Sequence, residues 1–221
     1  MPIYALFLTA ILLIILSLNH YYKFHLFSMK WAGILAGFGV ISLPFILWDI
    51  IATRDGHWAF NEKFILGPKI FGLPIEELLF FFMVPVVMLV VWYLVRLRVK
   101  ERRIDVSMFY RPILVILGFS TFMTIHRPYT FIVLAVATLF WYIAGRTDYF
   151  NSYRFFVFQF WLLLLFFLSN TLLTWPPVVT YGEGAIMGLR IGTIPIEDFL
   201  YNFVLINGFI LTYMKTERLK N

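Results

Sequence analysis

Seven long apolar runs constrain this chain more than anything else in its sequence. They lie near residues 3–18, 31–52, 74–96, 111–126, 128–144, 154–174 and 195–214. Runs of roughly 17–25 apolar residues read as membrane-spanning helices, because a backbone in hydrocarbon must satisfy its own hydrogen bonds. Only 14% of the residues are charged, against about 25% in a soluble domain. The expected fold is therefore an all-α polytopic membrane protein of about seven transmembrane helices. No basic stretch precedes the first run and no clear cleavage site follows it, so it reads as a span and not as a cleavable leader.

The basic residues orient these spans. If successive helices alternate in direction, one side holds Arg54, Lys63, Lys69, Arg127 and Arg190, and the other holds the remaining 13 Lys and Arg. The positive-inside rule makes the richer side cytoplasmic. The expected location is the cell membrane, multi-pass, with the N-terminus outside and the C-terminus in the cytoplasm. The net charge of +6 is spread over loops, which gives topology and excludes a nucleic-acid surface. The chain has no cysteine, so thiolate chemistry is excluded. His20, His25, His57 and His126 lack metal-ligand spacing, and His20 and His25 read as interfacial. No metal is expected.

A phrase is written twice. Residues 67–82 read GPKIFGLPIEELLFFF and residues 188–203 read GLRIGTIPIEDFLYNF, at a constant offset of 121 with seven of 16 positions identical. Each copy sets two adjacent acids at the start of an apolar run: Glu76 and Glu77, then Glu197 and Asp198. The correspondence extends upstream, from Asp49 to Asn170 and from Thr53 to Thr174. The two motif helices are four spans apart and run in the same direction, which implies parallel three-helix repeats joined by a connecting helix. The expected division is a first repeat over 1–97, a connecting segment over 98–127 and a second repeat over 128–221. A pseudo-twofold axis along the membrane normal would bring both acid pairs to one depth. The loops 53–73 and 175–194, rich in glycine, proline and aromatics, could cap a shared cavity.

Pro74 and Pro195 suit the first turn of a helix, and acids there favour the helix dipole. Capping alone would explain one pair; a second pair with the same neighbours weighs against it. Adjacent acids in an apolar site cannot cheaply both be charged, and one protonated acid beside one carboxylate is a general acid and a general base. Phe80 and Tyr201 follow Glu76 and Glu197 by four residues, on the same helix face, and Phe81, Phe82 and Phe203 come next. Aromatic faces attract cations, so a dry pocket with acids and rings suits carbocation chemistry on a hydrocarbon.

The phrases PIEELLFFF and PIEDFLYNF resemble the PxE(E/D)xxFF signature of the heterodimer-type lycopene cyclases, here in the fused form that carries both repeats in one chain. Trp48-Asp49, Asn170, Leu173-Thr174 and Arg190-Ile191-Gly192 also look family-like, and Asn202 departs from the signature, which has Phe there. The resemblance implies a lycopene β-cyclase of carotenoid biosynthesis, an isomerase (intramolecular lyase) that works by acid–base catalysis. A proton adds to C2 of the ψ-end of lycopene, the C5=C6 bond closes the ring, and loss of the C6 proton gives the β-ionone ring of γ- or β-carotene. By carry-over Glu76 and Glu197 are the first acid–base candidates, with Glu77 and Asp198 as partners. Phe80, Phe81, Phe82, Tyr201, Phe203, Asp49 and Asn170 are candidates for substrate binding or proton relay. Lys69 and Arg190 read as loop anchors.

No cofactor is expected, because no GxGxxG follows a strand and the reaction transfers no net electrons. The expected partners are the bilayer, the carotenoid, and a second copy of the chain or other carotenoid-pathway enzymes. Alternatives are a cyclase of a C50 or otherwise elongated carotenoid, a non-catalytic carotenoid-binding protein, or a transporter. Against a transporter, the acids sit at helix starts and not at midspan. Helix seven has no interior lysine for a retinal Schiff base. Aspartate-rich diphosphate motifs are absent.

Overall fold

The computed structural model describes residues 2–21 and 30–218. His25, Lys23 and Lys220 lie outside the described residues. Within them, seven helices form: α1 (Ile3–Tyr21), α2 (Trp31–Arg54), α3 (Ile75–Arg98), α4 (Ser107–Met123), α5 (Pro128–Ala144), α6 (Tyr153–Thr174) and α7 (Ile196–Arg218). Three of them, α2, α3 and α6, are long and apolar enough to cross a membrane by length and composition, and α1, α4 and α5 are shorter apolar helices.

The last helix is less apolar than its neighbours because it stands at the centre. Glu197, Asp198, Asn202 and Asn207 are buried on α7, and Val204 through Leu211 are buried without interruption. A helix surrounded by protein needs no lipid-compatible wall. α2 and α5 pack most extensively against it. The α2 contact is close: Gly33 lies against the Tyr213 ring and Gly37 against Phe209, the small-residue spacing by which apolar helices approach. α4 is peripheral. It packs along α5, buries none of its residues, and leaves Met108, Val115, Phe119 and Phe122 exposed.

α3 and α7 have matching neighbours. α3 packs on α1 and α6, and α7 packs on α5 and α2. The helix ends group as alternation requires. At one end Arg96 pairs with Glu217 at 3.1 Å, Lys30 donates to the Glu217 carbonyl, and Arg154 donates to the Val99 carbonyl. At the other end strand β1 (Trp58–Phe60) pairs with β4 (Val179–Tyr181). That antiparallel register couples Ala59 to Thr180, Trp58 to Tyr181 and Phe60 to Val179. Its centre joins two residues that are themselves 121 apart.

Each doubled phrase opens with a hairpin. β2 (Lys69–Ile70) pairs with β3 (Leu73–Pro74), and β5 (Arg190–Ile191) with β6 (Ile194–Pro195). Phe71 and Gly72 both have positive φ, whereas in the second hairpin only Gly192 does, so two turn types give the same reversal. In both copies the first helical N–H donates backward across the hairpin, Ile75 to Pro68 and Ile196 to Leu189. Pro74 caps α3 from its strand, one step earlier than its expected place inside the first turn, because its carbonyl side continues into the helix while its residue pairs with Lys69.

Candidate active site

The hairpins aim the two acids of each copy in different directions. Glu76 and Glu197 turn toward their own loops. The Glu76 Oε1 atom accepts the Leu66 N–H at 2.5 Å and the Glu197 Oε1 atom accepts the Met187 N–H at 2.7 Å. Leu66 and Met187 are again 121 apart. Glu197 also accepts the Thr130 hydroxyl at 2.6 Å. Both glutamates are buried, at 1% and 3% exposure, yet neither lines the large apolar cavity of the helix bundle. Glu77 and Asp198, one residue on, do.

They meet at one end of a single cavity of about 770 Å³. It runs from Asp49, Glu77 and Asp198 along α1, α3 and α6 to Arg98 and Val99. Glu77 and Arg98 are 21 residues apart on one helix, which at 1.5 Å per residue is about 32 Å. The wall between them is almost wholly aliphatic and aromatic, with Ile11, Met88, Val91, Leu94 and Leu162 among its residues. Ile14, Leu168 and Leu172 border it and are themselves exposed, so the cavity opens sideways between α1 and α6.

Hydrogen bonds hold the polar end. Tyr4 donates to Glu77, and Trp58 Nε1 donates to Asp49 Oδ1 at 2.7 Å, with Thr53 adding a longer bond at 3.3 Å. Asp49 and Glu77 both line this end of the cavity, and Asp49 Oδ2 is buried without a hydrogen-bond partner. Asp198 Oδ1 accepts from Tyr129 at 2.6 Å, and its Oδ2 accepts from Tyr181 and, at 3.3 Å, from Asn170 Nδ2. Desolvation and the Asp198 carboxyl push the Tyr181 phenol, in the β4 loop, well above its ordinary range, so it remains a donor. Aromatic rings wall the acids. Tyr129 stands 4.9 Å from Trp58 and 6.2 Å from Tyr181, and Tyr201 stands 5.1 Å from Trp48.

Of the residues singled out in the sequence, Glu77, Asp198, Asp49, Asn170, Phe80 and Tyr201 line this cavity. Phe81 is fully buried in the helix core, Phe82 is exposed, and Phe203 packs against Phe140 at 5.8 Å. Lys69 pairs with Glu62 at 3.0 Å, and Arg190 donates to the Thr193 carbonyl and lies over the Tyr181 ring.

Sequence reasoning missed Tyr4, Tyr129 and Tyr181. Tyr4 and Tyr129 are equivalent, each near the start of the first helix of its copy and bonded to the second motif acid. A signal existed: Tyr4 precedes Asp49 by 45 residues and Tyr129 precedes Asn170 by 41. The four extra residues between Tyr4 and Asp49 hide the pair from an ungapped offset of 121.

A helical, largely apolar chain with several helices long or apolar enough for a bilayer, and with paired acids and donor tyrosines at one end of a long apolar cavity, fits a membrane protein. The sequence model of the Lycopene cyclase family matches residues 2–95 and 126–215, most of the chain and once per copy of the motif. The chain belongs to the lycopene cyclase family, a family of carotenoid cyclisation. Comparison with curated proteins found no match, and neither did comparison with solved structures.

Proposed function

We propose that the chain is a lycopene β-cyclase that closes ψ-ends to β-ionone rings by proton addition and proton loss. The observation that carries this reading is the convergence of both motif copies on one end of one apolar cavity. Two independent sites, one for each end of the substrate, would have needed two cavities. The polyene lies along the groove with one ψ-end among Asp49, Glu77 and Asp198. Its conjugated chain rests on the aliphatic wall toward Arg98, and it enters from the bilayer between α1 and α6. The groove is about as long as a bilayer core is thick, roughly 30 Å, so the substrate stands across the membrane.

On this reading Glu77, Asp198 and Asp49 are the acid–base groups. Glu76 and Glu197 hold the hairpin loops to the helix starts. Phe80, Tyr201 and Trp58 offer π-faces to the cation, and the strand pair keeps water from quenching it. The chain is two parallel repeats about an axis through the Ala59–Thr180 pairing, with α4 as connector. The acids sit at the outer membrane face, where the N-terminus also lies.

The test is pigment chromatography in a bacterium engineered to accumulate lycopene. Expression of this chain alone should convert lycopene to γ- and β-carotene, and Glu77→Gln at equal expression should leave lycopene unchanged. Unconverted lycopene with well-inserted wild-type protein would refute the assignment.

A further inference from the structure

We propose that the two copies do opposite proton work: the Asp49–Glu77 pair delivers the proton to the polyene, and Asp198 takes a proton back. The inference rests on the cyclase reading above and assigns roles within that site.

It comes from one substitution between equivalent positions. In the first copy a carboxyl, Asp49, faces a carboxyl, Glu77. In the second copy an amide, Asn170, faces a carboxyl, Asp198, at 3.3 Å. An amide donates without carrying a transferable proton. Asp198 already receives three donors, from Tyr129, Tyr181 and Asn170. That set satisfies a carboxylate, and a proton on Asp198 would compete with it. Asp49 is supplied differently. Trp58 and Thr53 both donate to Oδ1, while the buried Oδ2 has no donor. Asp49 shares this end of the cavity with Glu77, whose donor is Tyr4. Two facing carboxyls in an apolar wall hold one proton between them, and that proton supplies the donor Oδ2 lacks. Among the described residues, the only basic side chain lining the cavity is Arg98, at the opposite end. Glu76 Oε2 and Glu197 Oε2 are likewise buried without a partner, but neither residue lines this cavity; among the carboxyls that do line it, we assign the transferable proton to the first copy and the acceptor to the second.

The step balances as an isomerisation. The O–H bond of the Asp49–Glu77 pair breaks and a C–H bond forms at C2, leaving the charge on C1. The C5=C6 electron pair forms the C1–C6 bond and moves the charge to C5. The C6–H bond then breaks, its electrons restore C5=C6, and the proton passes to Asp198. Tyr201 also lines this cavity, its ring 6.4 Å from that of Tyr129, which holds Asp198, and its hydroxyl is the group we assign to return the proton and reset the site.

The test uses the full chain in lycopene-accumulating cells, with pigments resolved by ring type and the purified protein melted in detergent to verify folding. Asp49→Asn makes the first copy match the second in keeping a donor but no transferable proton. Its conversion should fall by about 100-fold or more, and its residual product should keep the wild-type ring type. Asp198→Asn leaves the acid pair intact, so the cation still forms and loses a different proton. Its residual product should shift from β toward ε or γ rings. Should Asp49→Asn fail to fold, Glu77→Gln carries the same expectation. Wild-type conversion by the folded acid-pair variant would overturn the assignment. So would a folded Asp198→Asn that yields unchanged ring ratios or only lycopene. If the wild-type chain itself leaves lycopene intact, the cyclase reading fails; if it cyclises but the variants behave in reverse, only the division of roles fails.

Discussion

Gly182 follows Tyr181 in the strand pair that closes the polar end, and it tolerates no side chain. Its φ is not in the left-handed region, so its backbone would accept alanine. The obstacle is steric: a Cβ there would lie 2.2 Å from the Gly56 carbonyl oxygen. Ordinary contact begins near 3.4 Å, so the loops must part by about 1 Å. Gly182 N–H donates to the His57 carbonyl at 2.9 Å, and its own carbonyl accepts from Ala185 at 3.1 Å. Straining or losing these two bonds costs about 1–3 kcal/mol in all. The displacement passes to Tyr181, which holds Asp198. A misplacement of about 1 Å near reacting groups lowers rate by roughly 100-fold. Gly182→Ala should therefore lower the melting temperature in detergent and nearly abolish lycopene conversion. Gly118→Ala, where a Cβ meets open space on α4, should leave conversion unchanged. A Gly182→Ala protein that melts and cyclises like wild type would refute the idea that the paired loops set the geometry of the acids.

Other changes separate the roles of neighbouring residues. Glu76→Ala leaves the Leu66 N–H without its partner, so it should destabilise by about 1–3 kcal/mol, read by detergent melting, and its folded fraction should still cyclise. Tyr129→Phe removes one of three donors to Asp198 and should lower conversion about tenfold, a loss of roughly 1.4 kcal/mol in the barrier, measured by a pigment time course. Val91→Trp fills the groove about two thirds of the way from Glu77 to Arg98, so lycopene should stay uncyclised although the acids are untouched; chromatography at matched expression checks this. Because one cavity presents acids at one end only, a time course should show γ-carotene rising before β-carotene. Simultaneous appearance of both rings from the first turnover would contradict end-by-end cyclisation.

The helices were legible because the apolar runs leave few alternatives: all seven expected segments overlap helices of the structure, to within a turn or so at most ends. The special status of α7 was not legible from hydropathy alone. Its polar residues are tolerated because protein surrounds it, but the same lowered hydropathy would suit a helix exposed to water, so composition does not reveal its central place. The doubled acids lie at one end of the cavity, but adjacent residues on a helix are about 100° apart, and sequence could not say which of each pair faces it. The hairpin decides that, by offering the Leu66 and Met187 N–H groups to the first acid. Tyr181 and Gly182 were illegible for a related reason: their importance comes from the β1–β4 pairing, which joins segments more than a hundred residues apart.

A duplicated unit begins with two identical acid sites, and two identical sites facing one cavity have no fixed donor and acceptor. The retained symmetry lies in the scaffold, in the hairpins, the glutamates that pin them and the strand pair centred on Ala59 and Thr180. The differences lie at the cavity wall, where Asp49 answers to Asn170 and Phe80 to Tyr201. On the proposed reading that division is functional. The shared scaffold brings both acids to one end of the polyene, and the exchange of a carboxyl for an amide makes one of them a donor and the other an acceptor. Divergence at a few wall positions is then enough to turn a symmetric pair of carboxyls into an ordered acid and base.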